Sequence, residues 1–149
     1  MAIEENLGYV FSDKSLLERA LTRKAYALEQ KQRDQDYEDQ EIYRTLGDAV
    51  LKLALVDLLI KAGCQTRDEI TRKKMALERE EGLAKIARNL LIGSFIKLGI
   101  GEEKQQADQE PKVLAETLEA LIGAIYFDAG YETSKRVVTE WFKDFLPQG

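Results

Sequence analysis

The chain contains no histidine. That absence removes Ser-His and Cys-His nucleophilic schemes, imidazole general bases and the usual zinc ligands. Any catalysis must rest on carboxylates, lysine, tyrosine or a metal held through oxygen, and oxygen ligands favour Mg²⁺, Mn²⁺ or Ca²⁺. Cysteine is nearly absent too. Cys64 is the single thiol, so no internal disulfide forms, which fits a reducing cytosol and a cytoplasmic location. No apolar run reaches the roughly 18 residues that a membrane span needs, since Lys52 and Asp57 interrupt the best candidate, LGDAVLKLALVDLLI. The opening residues, MAIEENLGYVF, lack a basic stretch followed by an apolar block, so no secretory signal is visible. Positive charge is not in excess either. With a formal net charge of −5, any nucleic-acid contact needs a local basic patch or cations from solution.

What is present is helical periodicity. A chain of 149 residues with 44% hydrophobic content suits one domain, residues 1–149, with a proper core. SDKSLLERALTRKAYALEQ reads as a helix capped by Ser12, with Leu16, Leu17, Ala20 and Leu21 at helical spacing. Residues 29–40 are polar, aperiodic and loop-like. A long apolar helix follows from about Glu41 to Ala62, stopped by Gly63. Thr66 caps a charged helix that passes into GLAKIARNLL, and GSFIKLG reads as a short helical turn. GEEKQQADQEP reads as a polar loop. KVLAETLEALIGAIYFDAG is a second apolar helix, and YETSKRVVTEWFKDFLP closes the chain with Trp141, Phe142 and Phe145 as core or interface residues. No stretch alternates with period two for long enough to be a strand. The expected fold class is all-α.

Two apolar helices carry acids where burial normally excludes them. Glu41, Arg44 and Asp48 fall at i, i+3 and i+7 on one face; Glu116 and Glu119 share a face at i, i+3. One reading is a local charge ladder in which each acid neutralises a base. The other has the two helices facing each other with their acids converging on one divalent cation, the arrangement that metal-assisted phosphodiester hydrolysis requires.

The chain resembles the catalytic domain of ribonuclease III over nearly its whole length. That family's signature has the form ERLEFLGDAVL, and residues 41–51 read EIYRTLGDAVL. LLERALTRKAYA, EITRKKMALEREEGLAKIARNL, LGIGEE and VLAETLEALIGAIYFDAG follow the family's order as well. The resemblance implies a helical endonuclease-domain bundle without the double-stranded-RNA-binding domain, similar to the compact Mini-III branch. It also implies a homodimer acting on double-stranded RNA with Mg²⁺ or Mn²⁺. Carried over residue by residue, it gives Asp48, Glu116 and Glu119 as metal ligands, with Glu116 standing where the family has aspartate. Glu41 becomes an acid at the edge of the site. Arg44 occupies the place of the second signature glutamate. Arg44, Arg72, Lys73, Lys74 and Lys112 are the expected RNA contacts, although the acids around Arg72–Lys74 fit a self-neutralised helix equally well. Tyr43, Thr45 and Leu46 are the expected dimer interface, weakened because Thr45 replaces a phenylalanine. Two outcomes stay open for Arg44. Either the acids hold a metal with Arg44 at the rim or on a phosphate, or Arg44 fills the metal's place in a non-cleaving domain that binds RNA or a protein.

Overall fold

The structure, a computed structural model, describes residues 2–146. Among them it is helical without a strand, as the periodicity predicts. The helices are α1 Ala2–Leu7, α2 Lys14–Ala20, α3 Lys24–Lys31, α4 Glu41–Lys61, α5 Arg67–Glu78, α6 Glu80–Asn89, α7 Ile100–Lys104, α8 Pro111–Ala129 and α9 Tyr131–Phe142. Short 3₁₀ turns lie at Gly93–Phe95, Ala107–Gln109 and Lys143–Phe145.

The long helices α4 and α8 form the centre, and their apolar faces meet through residues such as Leu51, Leu55, Leu118 and Ile122, all essentially inaccessible. Their ends follow the sequence signals. Gly63 (φ +103°) and Gly130 (φ +86°) take the left-handed half of the map just past α4 and α8, where a Cβ is strained. Pro111 occupies the first turn of α8, where its missing N–H costs no bond. Thr66 caps α5 as expected, accepting from the Glu69 N–H at 3.2 Å.

Several boundaries differ from the sequence reading. Asp13, not Ser12, caps α2, its carboxylate accepting the Ser15 N–H at 2.9 Å. The helix expected to run on through LTRKAYALEQ breaks at Leu21–Arg23. There the Arg23 N–H donates to the Lys97 carbonyl (3.1 Å) and the Lys97 N–H to the Leu21 carbonyl (2.8 Å), so a non-local pairing overrides local periodicity. Likewise α5 does not run into α6. Arg79, extended at φ −69° and ψ 159°, ends one and begins the next. The expected loop GEEKQQADQEP contains most of α7 and a 3₁₀ turn. The Glu102 carboxylate accepts the Gly99 N–H (3.1 Å) and Glu29 accepts that of Ile100 (2.8 Å), anchoring a helix start that composition hides. Trp141 and Phe142 are core residues, but Phe145 is partly exposed, with the Lys85 ammonium 5.8 Å from its ring centre.

Candidate active site

Gly47 and Gly123 let α4 and α8 touch backbone to backbone. A Cβ on Gly47 would stand 1.7 Å from the Glu119 carbonyl oxygen, and one on Gly123 would stand 2.2 Å from that of Tyr43. No side chain fits either contact. The close approach brings Asp48, the neighbour of Gly47, alongside Glu119, and the motif glycine is the sequence signal for it.

Glu41, Arg44, Thr45, Asp48 and Glu119 line one open cleft of about 550 Å³. Asp48 is not buried as its apolar surroundings predict: its side chain is 46% exposed, because the flank of α4 that carries it faces the cleft. Glu119 lies deeper. Burial, then a hydrogen bond to Asp48 and the field of that carboxylate, pushes the Glu119 carboxyl up to about 8. It therefore keeps its proton at neutral pH and donates it to the ionised Asp48. Burial works to raise Asp48 too, but the bond from Glu119 and the ammonium of Lys52 outweigh it and hold Asp48 below the usual carboxylate range.

Glu116 faces elsewhere. Its Oε1 accepts from Arg23 at 2.9 Å, and its Oε2 pairs with Arg44. Arg23 also forks onto Glu102 (3.1 and 3.0 Å) and donates to Gln40 (3.2 Å). The break between α2 and α3 is what aims Arg23 at this point. The Arg44 Nε–H is buried and has no acceptor among the described residues. Hence the expected gathering of Asp48, Glu116 and Glu119 is not formed. Among the described residues no three acidic or thiol side chains stand as an ion cage, and Glu116 is paired with two guanidiniums. Nor is there a Glu41–Arg44–Asp48 ladder, since Arg44 reaches across to α8 and Asp48 pairs with Lys52 at 3.0 Å.

Asp48 and Glu119 fit a hard divalent cation by their chemistry. They are two neighbouring oxygen donors facing an open cleft, with the Lys52 ammonium on Asp48 as the resident counter-charge. Glu116, in this metal-free arrangement, is engaged by Arg23 and Arg44 instead.

The remaining expected residues are dispersed. Glu41 is exposed at the cleft mouth. Arg72 and Lys112 are exposed, whereas Lys73 pairs with Glu69 and Lys74 with Glu78, each at 3.0 Å. Tyr43, one of the expected dimer-interface residues, exposes little surface. It is buried within the chain, with the Arg19 guanidinium 4.8 Å from its ring centre and Phe127 at 5.2 Å. It faces inward because it lies at the α4–α8 contact, one turn before Gly47. Thr45 is exposed and Leu46 half-buried. Ile42, Leu46, Ala49, Leu53, Val56 and Ile60 instead make a partly or fully exposed apolar stripe along α4, spaced alternately four and three residues apart. Sequence reasoning missed Arg23, whose role depends on a helix break, and Lys52, although its i+4 position from Asp48 is a visible signal.

The sequence profile of the family described as Ribonuclease-III-like matches residues 13–145. Ribonuclease 3 of Pseudothermotoga lettingae is 38% identical over 97% of this chain and 61% of its own length. Ribonuclease 3 of Pseudomonas fluorescens is 37% identical over 93% and 57%. This chain thus spans about three-fifths of the curated relatives it matches. The ribonuclease III nuclease domain of Campylobacter jejuni superposes with a TM-score of 0.85 at 34% identity, covering 97% of this chain and 96% of that one. Flexibility in a region involved in dimer formation has been described for that domain.

Proposed function

The chain belongs to the ribonuclease-III-like family, and from that premise we propose that it is a divalent-metal-dependent endoribonuclease acting on double-stranded RNA in RNA processing. Its activity is altered by Arg44 at a signature-glutamate position. The observation that carries the reading is the Asp48–Glu119 pair, two neighbouring acids that line one open cleft.

Asp48 and Glu119 would hold Mg²⁺ or Mn²⁺, which supplies Lewis acidity and lowers the pKa of water. In the hydrolysis, a water oxygen bonds to phosphorus and one ester P–O bond breaks. Asp48 enters this step ionised, while Glu119 must first lose its proton. Arg44 neutralises Glu116 and lies where phosphate charge arrives, with an unused Nε–H to offer once its side chain swings. Arg72 and Lys112 supply exposed charge for the RNA backbone; Lys73 and Lys74 reach it only by leaving their acids.

The α4 stripe supports a homodimer. Exposed apolar side chains at alternating four- and three-residue spacing suit a second helix, and they flank the acids, so pairing would place two clefts along one duplex. Ile42 and Leu53 take the place in that interface that sequence reasoning gave to Tyr43. The location we propose is cytoplasmic. Among the described residues no helix is long and apolar enough to cross a membrane.

The Arg44–Glu116 pair supports a second reading, a non-cleaving domain that binds RNA or a protein, because a resident guanidinium already occupies part of the acid cluster. Incubating the purified chain with long duplex RNA and Mn²⁺ or Mg²⁺ decides between them. Cleavage that a chelator stops supports the nuclease. Intact RNA at all metal concentrations supports the second reading.

A further inference from the structure

Lys52 stands between two acids on different helices. Its ammonium lies 3.0 Å from Asp48 Oδ1 and 3.4 Å from Glu78 Oε2, and Lys74 holds the other Glu78 oxygen at 3.0 Å. Starting from Asp48, the groups alternate as carboxylate, ammonium, carboxylate, ammonium, from the cleft to α5. The two seats of Lys52 are unequal. Asp48 is 46% exposed and Glu78 only 14% exposed, so the Asp48 contact is the more screened and the more easily surrendered. Helix α5 buries no residue of its own, and this ionic contact is part of what ties it to α4.

A divalent ion and an ammonium cannot both sit on the Asp48 carboxylate without repulsion. An unbranched lysine on four rotatable bonds can retreat, and the seat it retreats to is already within reach.

We propose that Lys52 is a displaceable counter-ion and positioning residue. It holds Asp48 until a divalent cation arrives, then transfers wholly to Glu78. Metal occupancy at Asp48 is thereby coupled to the salt bridge that fastens α5. This rests on the reading of Asp48 and Glu119 as the cation site.

The test is calorimetric titration of Mn²⁺ into the full chain, without RNA, for the wild type and for Lys52→Met, Lys52→Arg, Glu78→Gln and the Lys52→Met/Glu78→Gln double variant. Asp48→Asn is the control, and thermal melts confirm folding. Removing the competitor should tighten Mn²⁺ binding on the order of fivefold, the upper range for an exposed ion pair, while Lys52→Arg should stay near the wild type. Glu78→Gln should weaken Mn²⁺ binding when Lys52 is present and have no effect in the Lys52→Met background. A purely coulombic effect of Glu78 would persist in both. Mn²⁺ binding that depends on Asp48 but does not tighten in Lys52→Met overturns this inference alone. So does a Glu78→Gln effect that survives the loss of Lys52. An absence of Asp48-dependent binding in every variant overturns the cation-site reading as well.

Discussion

Gly47 and Glu119 meet backbone to backbone, so closely that a Cβ on Gly47 would stand 1.7 Å from the Glu119 carbonyl oxygen. The contact fixes the spacing of Asp48 and Glu119. Gly47→Ala should therefore force the helices apart and lower stability by about 3 kcal/mol, the upper range for overpacking. Urea unfolding checks this, and an unchanged midpoint would refute a tight crossing.

On the proposed reading, Arg44 lowers the cation affinity of the cleft that it lines. At an effective dielectric near 20, like charges ~5 Å apart repel by about 3 kcal/mol, and screening reduces that further. Even about 1.4 kcal/mol is a factor of ten in affinity. Arg44→Glu removes the guanidinium and adds an oxygen ligand, so it should bind Mn²⁺ about tenfold more tightly and cleave faster than the wild type. Equal affinity in calorimetry would show that the guanidinium does not oppose the ion.

Glu119 gives the metal-free protein a signed pH dependence. Its carboxyl rises from an ordinary 4.5 to about 8, through burial first and then the bond to Asp48. The folded chain thus keeps a proton that the unfolded chain loses between these values. This contribution to stability is fully present below pH 4.5 and is lost as pH rises through about 8. Asp48, held below its ordinary 3.8, acts in the opposite direction only at lower pH. Glu119→Gln keeps a donor for Asp48 and removes the titration. Melting temperatures with chelator from pH 5 to 8.5 should fall less steeply for this variant than for the wild type; parallel curves would show that Glu119 does not titrate in this range.

The α4 stripe is tested by Leu53→Glu. Leu53 is exposed and lies in the middle of the apolar file. A charge there should shift the chain from dimer to monomer in analytical ultracentrifugation without lowering the monomer's helicity. A wild type that stays monomeric at high concentration would remove the dimer from the proposal.

The long elements were legible in the sequence because their signals are local. Gly63, Thr66 and Pro111 mark ends that the structure keeps, and apolar spacing marks the buried faces of α4 and α8. The errors came from contacts distant in sequence. Lys97 breaks the helix at Thr22, and Glu29 helps build α7 inside a polar stretch. The site divides in the same way. Spacing placed Asp48 and Glu119 on their helices, but it could not show that Glu116 turns to Arg23, a residue 93 positions away.

On the proposed reading, Asp48 and Glu119 hold the reactive cation while Glu116 serves the guanidiniums. The most direct measurement is duplex-RNA cleavage in saturating Mn²⁺ by the wild type, Asp48→Asn, Glu119→Gln and Glu116→Gln, with each variant's fold confirmed by its melt. The expected result is no detectable cleavage by Asp48→Asn or Glu119→Gln, and cleavage within about tenfold of the wild type by Glu116→Gln. A folded Glu116→Gln as inactive as Asp48→Asn, or an active Glu119→Gln, would contradict it.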